Sequence, residues 1–176
     1  MIPEFDQNGN LPVGFIRPTI GEFKERFVVE LGGSGTRGDI FSMYLDYCKK
    51  MDYLEVAVKQ WVDGSYITNK ENPSDIDLVT HIDVLKANKL TELHEDYKKL
   101  SDNTHCKSQY RCDAYVIPIY PKELSDEHRI YKKSEEYWSK WFGQDRAGNP
   151  KGIVEFSFLN DDFEFGGREN GGNIYD

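Results

Sequence analysis

Three kinds of feature are scarce in this chain of 176 residues, and each scarcity excludes something. Cysteine is the first: Cys48, Cys106 and Cys112 are the whole supply. An odd, small number argues against a disulfide framework and points to a reducing setting. Long apolar runs are the second. No stretch approaches the roughly 20 apolar residues that a membrane span needs. The opening segment Met1-Ile2-Pro3-Glu4-Phe5-Asp6 has neither a basic start nor an apolar core, so no secretory leader is expected. Together these readings give a cytoplasmic expectation, with no membrane partner. Positive charge is the third scarcity. Lys and Arg number 22 against 31 Asp and Glu, a formal net charge of −9. A protein that grips long nucleic acid usually carries a basic face, so an acidic total lowers that expectation. It suits a site that gathers carboxylates around a metal ion.

What is present is ordinary globular composition, with 38% hydrophobic and 30% charged residues. The length fits one domain with a real core, and residues 1–176 are read as such a domain. Pro3, Gly9, Pro12, Gly14 and Pro18 make residues 1–18 an extended arm with turns. Thr19 and Glu22 form a capping-box pattern, which predicts a helix carrying Phe23, Phe27 and Val28 and ending near Gly32. Residues 32–38 read as a Gly-rich linker, and the Arg37-Gly38-Asp39 triplet at its end as coincidence. Ile40, Met43, Tyr44, Tyr47 and Cys48 recur at helical spacing over 39–51. Strands are expected at 56–62, 76–79, 113–120 and 153–159, the third near a sheet edge because of Pro118. Helices are expected at 83–100 and 125–142, the latter stopped by Gly143 and packed through Trp138, Trp141 and Phe142. Residues 164–176, rich in Gly, are expected to be flexible. The order predicts an α/β (α+β) domain with a small mixed β-sheet flanked by helices.

One segment concentrates chemistry. Val62-Asp63-Gly64-Ser65 is followed, nine residues later, by Asp75-Ile76-Asp77-Leu78. Side chains two apart on a strand share a face, so Asp75 and Asp77 project together. Two carboxylates that close repel each other unless a cation lies between them, and carboxylate oxygens suit Mg²⁺ shared with substrate phosphates. Gly64 allows close backbone approach. Ser65 adds a hydroxyl where free N–H groups can meet an anion. Asp113, 36 residues beyond Asp77, opens a later strand and completes a three-acid set. Thr68 and Lys70, in the loop between the motif halves, are within reach of phosphate. Arg111 is expected to pair with Asp113. Lys151 and Arg146 are expected on a solvated surface.

Gly64-Ser65, the short spacer and Asp75-Ile76-Asp77-Leu78 resemble the signature of the DNA polymerase beta-like nucleotidyltransferase superfamily, and in particular its stand-alone minimal members. Some of those act as toxins or antitoxins. Asp63 departs from the pattern, which places a hydrophobic residue before the Gly. The resemblance implies a nucleotidyltransferase-like fold. It implies that Asp75, Asp77 and Asp113 are catalytic and bind Mg²⁺, with Mn²⁺ as a substitute. It also implies that Gly64 and Ser65, helped by Thr68 and Lys70, bind a nucleoside triphosphate. The expected activity is transfer of a nucleoside monophosphate from the triphosphate to a hydroxyl on an RNA end, a protein or a small molecule. The alternative expectation is a catalytically silent binding protein, such as an antitoxin, that sequesters a protein partner.

Overall fold

A computed structural model describes residues 1–90 and 93–163. The expected tail at 164–176 lies outside the described residues. The chain forms a five-stranded mixed sheet in the order β1-β5-β2-β3-β4, with six α-helices among the described residues. The strands are β1 (Gly14–Ile16), β2 (Ala57–Asp63), β3 (Ile76–Asp83), β4 (Cys112–Ile119) and β5 (Gly152–Ser157). The helices are α1 (Ile20–Lys24), α2 (Arg37–Tyr53), α3 (Val84–Ala87), α4 (His94–Ser101), α5 (Asn103–Tyr110) and α6 (Ser125–Phe142). β2 lies antiparallel to both β3 and β5, while β3–β4 and β1–β5 are parallel pairs. β4 is an edge strand. Pro118, which has no N–H to give, is tolerated there.

Alternation along the strands divides the side chains into two layers. Val62, Leu78, Ala114 and Val154 face a large core shared with Phe23, Phe27, Tyr44, Tyr47 and Cys106 from the helices on that side. Trp61, Val79, Ile117 and Ile153 face the opposite way and pack with Tyr131 and Phe142 of α6. The sheet is thus covered by α1, α2, α4 and α5 on one face and by α6 on the other.

Several local expectations change. The arm is not merely extended: Leu11 is buried, β1 pairs with β5, and the Gly152 N–H donates to the Leu11 carbonyl at 2.9 Å. The first helix begins with the Thr19–Glu22 capping box and then widens into a π-helical turn over Glu25–Val29. The expected helix at 83–100 is broken into pieces. Asp83 caps α3, and Asp102 adopts extended backbone between α4 and α5, where its carboxylate accepts from the Thr104 and His105 N–H groups. Each Asp starts a helix by capping it, and Asp102 lies beyond the expected span; within that span α3 ends at Ala87 and α4 begins at His94. Met43 is exposed, and Met51 takes its place on the buried face of α2. Trp141 is also exposed, so Tyr131, Trp138 and Phe142 form the packing side of α6. Among the described residues no helix is long and apolar enough to cross a membrane.

Candidate functional site

The motif falls where three strands end together. Asp63 on β2 is the register partner of Asp77 on β3, and Asp77 is the register partner of Asp113 on β4. Cross-strand partners project to the same side of a sheet, so these three acids form a row on the α6 face. Asp75 precedes β3 by one residue and is half-buried beside them.

Gly64 makes the turn out of β2 with φ +82. That is the left-handed side of backbone space, which a side chain disfavours. Asp77 adds a second reason for glycine: a Cβ at this position would overlap the Asp77 Oδ2 atom. The loop that follows is held from several directions. Arg37, almost fully buried, donates through its guanidinium to the carbonyls of Phe27, Tyr66, Thr68 and Lys70, at 2.6 to 3.2 Å. An arginine spent in this way cannot present an adhesion triplet. The Asn69 N–H donates to the Gly9 carbonyl of the arm at 3.0 Å. Asn72 Oδ1 accepts from the Gly35 N–H at 2.9 Å, and the Thr36 hydroxyl donates to the Pro73 carbonyl at 2.7 Å. The Gly-rich linker is therefore a clamp on the far end of the motif loop.

Of the residues expected near phosphate, Gly64 and Ser65 adjoin the row, Ser65 opening a short 3₁₀ turn over Ser65–Ile67. Thr68 is engaged locally: its hydroxyl donates to the Ser65 carbonyl at 2.8 Å. The Lys70 side chain is exposed. Arg111 does not pair with Asp113. It sits in left-handed backbone at the end of α5 and donates from Nε to the Ser74 carbonyl at 2.9 Å, bracing the residue before Asp75.

Two lysines that were not expected to hold the acids share the site. Lys151 is not on a solvated surface. It is 5% exposed, its Nζ is 2.7 Å from Asp63 Oδ1, and it approaches the Gly64 carbonyl at 3.4 Å. Lys107 on α5 places its Nζ 2.7 Å from Asp113 Oδ2 and 3.4 Å from Asp75 Oδ2. Asp113 also accepts from Asn103 Nδ2 at 2.6 Å. The departure of Asp63 from the expected hydrophobic type was a visible signal that something charged had to meet it. Nothing in the sequence singled out Lys107 or Asn103, which come from a helix that periodicity did not reveal.

The electrostatics of the row are uneven. Burial raises Asp63 to about 6, even with the Lys151 ammonium pulling the other way. Burial also works against the charge of Asp113, but Lys107, Asn103 and Tyr115 hold its carboxyl below the ordinary value. Asp77 lies between them. Burial, then the charges of Asp63, Asp75 and Asp113, raise it to about 7, with only Lys151 opposing. No Lys, Arg or His ion pair within 4.0 Å serves Asp77 among the described residues.

This uncompensated carboxylate, next to a glycine with no room for a Cβ, fits the chemistry of a divalent hard cation. Asp75, Asp77 and Asp113 are the residues that would hold it. Among the described residues, no three His, Cys, Asp or Glu side chains are gathered into a ready metal-binding group. Instead, the lysine ammonium holds Asp75 and Asp113.

The fold is a mixed α+β domain with a row of carboxylates at one end of its sheet. The chain belongs to DUF6932, a family of unknown function, whose match spans residues 3–157 and so takes in the arm, the row and β5. No curated protein and no solved structure matches the chain.

Proposed function

We propose that the chain is a Mg²⁺-dependent nucleotidyltransferase that moves a nucleoside monophosphate from a triphosphate to a hydroxyl acceptor. The observation that supports this most is the meeting, at one end of the sheet, of the Gly64-Ser65 turn with Asp77 and its register partner Asp113. Bound metal would neutralise charge developing on the phosphoryl oxygens and on the departing pyrophosphate. The chain's own residues would orient and exclude. Gly64 and Ser65 present backbone N–H groups and a hydroxyl to the triphosphate. Asp113, anchored by Asn103, stands where it can draw the proton from the acceptor hydroxyl. The acceptor oxygen bonds to the α-phosphorus, the bond from that phosphorus to the bridging oxygen breaks, and pyrophosphate leaves. The bolted loop over residues 66–73 keeps these groups in place, so that most of the rate comes from positioning and charge complementarity. The acceptor is a protein, a small molecule or an RNA end; the acidic total favours the first two.

A second reading is a silent binding protein that uses the same fold to hold a protein partner. It is favoured by the outer face of α6, where Ile130, Tyr137 and Trp141 are exposed. Titration with a non-hydrolysable ATP analogue, with and without Mg²⁺, separates the two. Mg²⁺-dependent binding that is lost in a folded Asp75→Asn/Asp77→Asn double variant supports the transferase. Failure of ATP, GTP, CTP and UTP analogues alike to bind the wild type favours the partner-binding reading.

A further inference from the structure

We propose that Lys107 is a tethered counter-cation that occupies the metal position of the resting site and gives it up to a divalent ion. This rests on the reading of the row as a metal site and adds a residue that sets its affinity. The oxygen atoms carry the argument. Asp113 is anchored through Oδ1 by Asn103 and offers Oδ2 to Lys107. Asp75 is likewise anchored through Oδ1, which accepts from the Ser74 hydroxyl at 2.9 Å, and also offers Oδ2 to Lys107. Both carboxylates are thus held by one oxygen and share one ammonium through the other. When the ammonium leaves, the two Oδ2 atoms are the ones freed to take a hard cation.

Lys107 is built to leave, and Lys151 is not. The side chain of Lys107 is 51% exposed and reaches the acids from α5. Its helix is fixed by the Asp102 cap and by buried Cys106 and Tyr110, so release moves the side chain alone. Lys151 is enclosed between Asp63 and the Gly64 carbonyl and has no such exit. The three acids of the row and Asp75 beside them therefore have one permanent ammonium and one exchangeable ammonium. Long exposed lysine stems keep rotamer freedom that an ion pair must overcome, so the exchangeable pair is held weakly.

Mn²⁺ binding to the full chain, followed by electron paramagnetic resonance and by calorimetry, tests this with wild type, Lys107→Met and Lys107→Gln. Removal of a competing, like-charged occupant is expected to tighten Mn²⁺ binding by about tenfold or more. Lys107→Arg, which keeps the charge, is expected to stay near the wild type. Tighter binding by both neutral variants, with circular dichroism unchanged, supports the proposal, as does binding by the neutral variants alone. Binding by the wild type that is equal or weaker in both neutral variants overturns it and leaves the metal site standing. No Mn²⁺ binding by any of the proteins overturns the metal site itself, and the role of Lys107 falls with it.

Discussion

Glu135 and Asp77 are both half-buried acids on the α6 side of the sheet, and their surroundings differ in one respect. Glu135 accepts from Lys59 at 2.9 Å, from Lys132 at 2.7 Å and from the Tyr131 hydroxyl at 2.9 Å. Burial opposes its charge, but these donors draw its carboxyl down to about 2. Lys59 also approaches Glu155, which in turn accepts from Trp61 and Arg17. Each charged group of this network meets an opposite charge, although the buried His81 Nε2 beside Tyr131 has no partner among the described residues. Asp77 lies on the same sheet with acids on either side and no cation of its own. It is raised to about 7. Compensated clusters hold structure together, whereas an acid kept uncompensated by its neighbours is destabilising unless a ligand repays it. The contrast is between acids compensated by fixed cations and an acid that is not.

The largest expected effect lies where the two kinds of cluster meet. Lys151 belongs to the row, yet it is buried and paired like a member of the α6 network. Lys151→Met would strand Asp63 next to Asp77. It is expected to cost about 3–5 kcal/mol, read from urea unfolding at pH 7.5. A cost below about 1 kcal/mol would mean that the pair is not the fixed half of the site. Next comes Lys59→Met, which breaks the compensated network at a less buried position. A loss of about 2 kcal/mol is expected, with no change in Mn²⁺ or nucleotide affinity. A loss of ligand binding there would erase the distinction between the two clusters.

The smallest effect has the opposite sign. Asp77→Asn removes the uncompensated charge and is expected to stabilise the protein by about 1 kcal/mol at pH 8. That corresponds to roughly 2–4 °C in Tm for a domain of this size. The pH dependence follows from linkage. The folded state holds the Asp77 proton up to about 7, against an ordinary value of 3.8, so folded protein binds more protons than unfolded protein in that window. Stability attributable to this residue is therefore lost as pH rises from about 4 to 7. The advantage of Asp77→Asn should open across that interval and close toward pH 4. Glu135 runs the other way: its depressed value contributes stability that is present above about 4.5 and lost as pH falls toward 2. Thermal melts from pH 4 to 8 on wild type and Asp77→Asn would check the sign. An Asp77→Asn variant less stable than wild type at pH 8 would show that the row is compensated after all.

Much of the sheet was legible because strand periodicity is local. Ala57–Asp63, Cys112–Ile119 and Gly152–Ser157 lie close to the stretches expected from alternating apolar residues, and the capping box at Thr19 is formed. The turn at Gly64 was legible because glycine suits its positive φ, and the shared side of Asp77 and its neighbours followed from strand alternation. β1 was hidden among the prolines and glycines of the arm, since three residues carry too little period to register. α5 was hidden because the apolar spacing that suggests a helix stops at Leu100, and the Asp102 cap that starts the next helix shows only in its backbone bonds. Lys151 read as solvated because it follows a turn, and only the folding of β5 against β2 shows that it is enclosed.

By itself the sequence determined which residues could do chemistry: the acids at 75, 77 and 113, the Gly64-Ser65 turn and the strands that carry them. Side-chain type, turn chemistry and period are properties of neighbours along the chain. Tertiary structure alone decided how charge is balanced among those acids. It set the alignment of Asp63, Asp77 and Asp113 across three strands, delivered Lys107 from one helix and Lys151 from a distant turn, and left Asp77 without a cation. Electrostatic energy depends on distance and burial in space, and neither quantity is written in the order of residues.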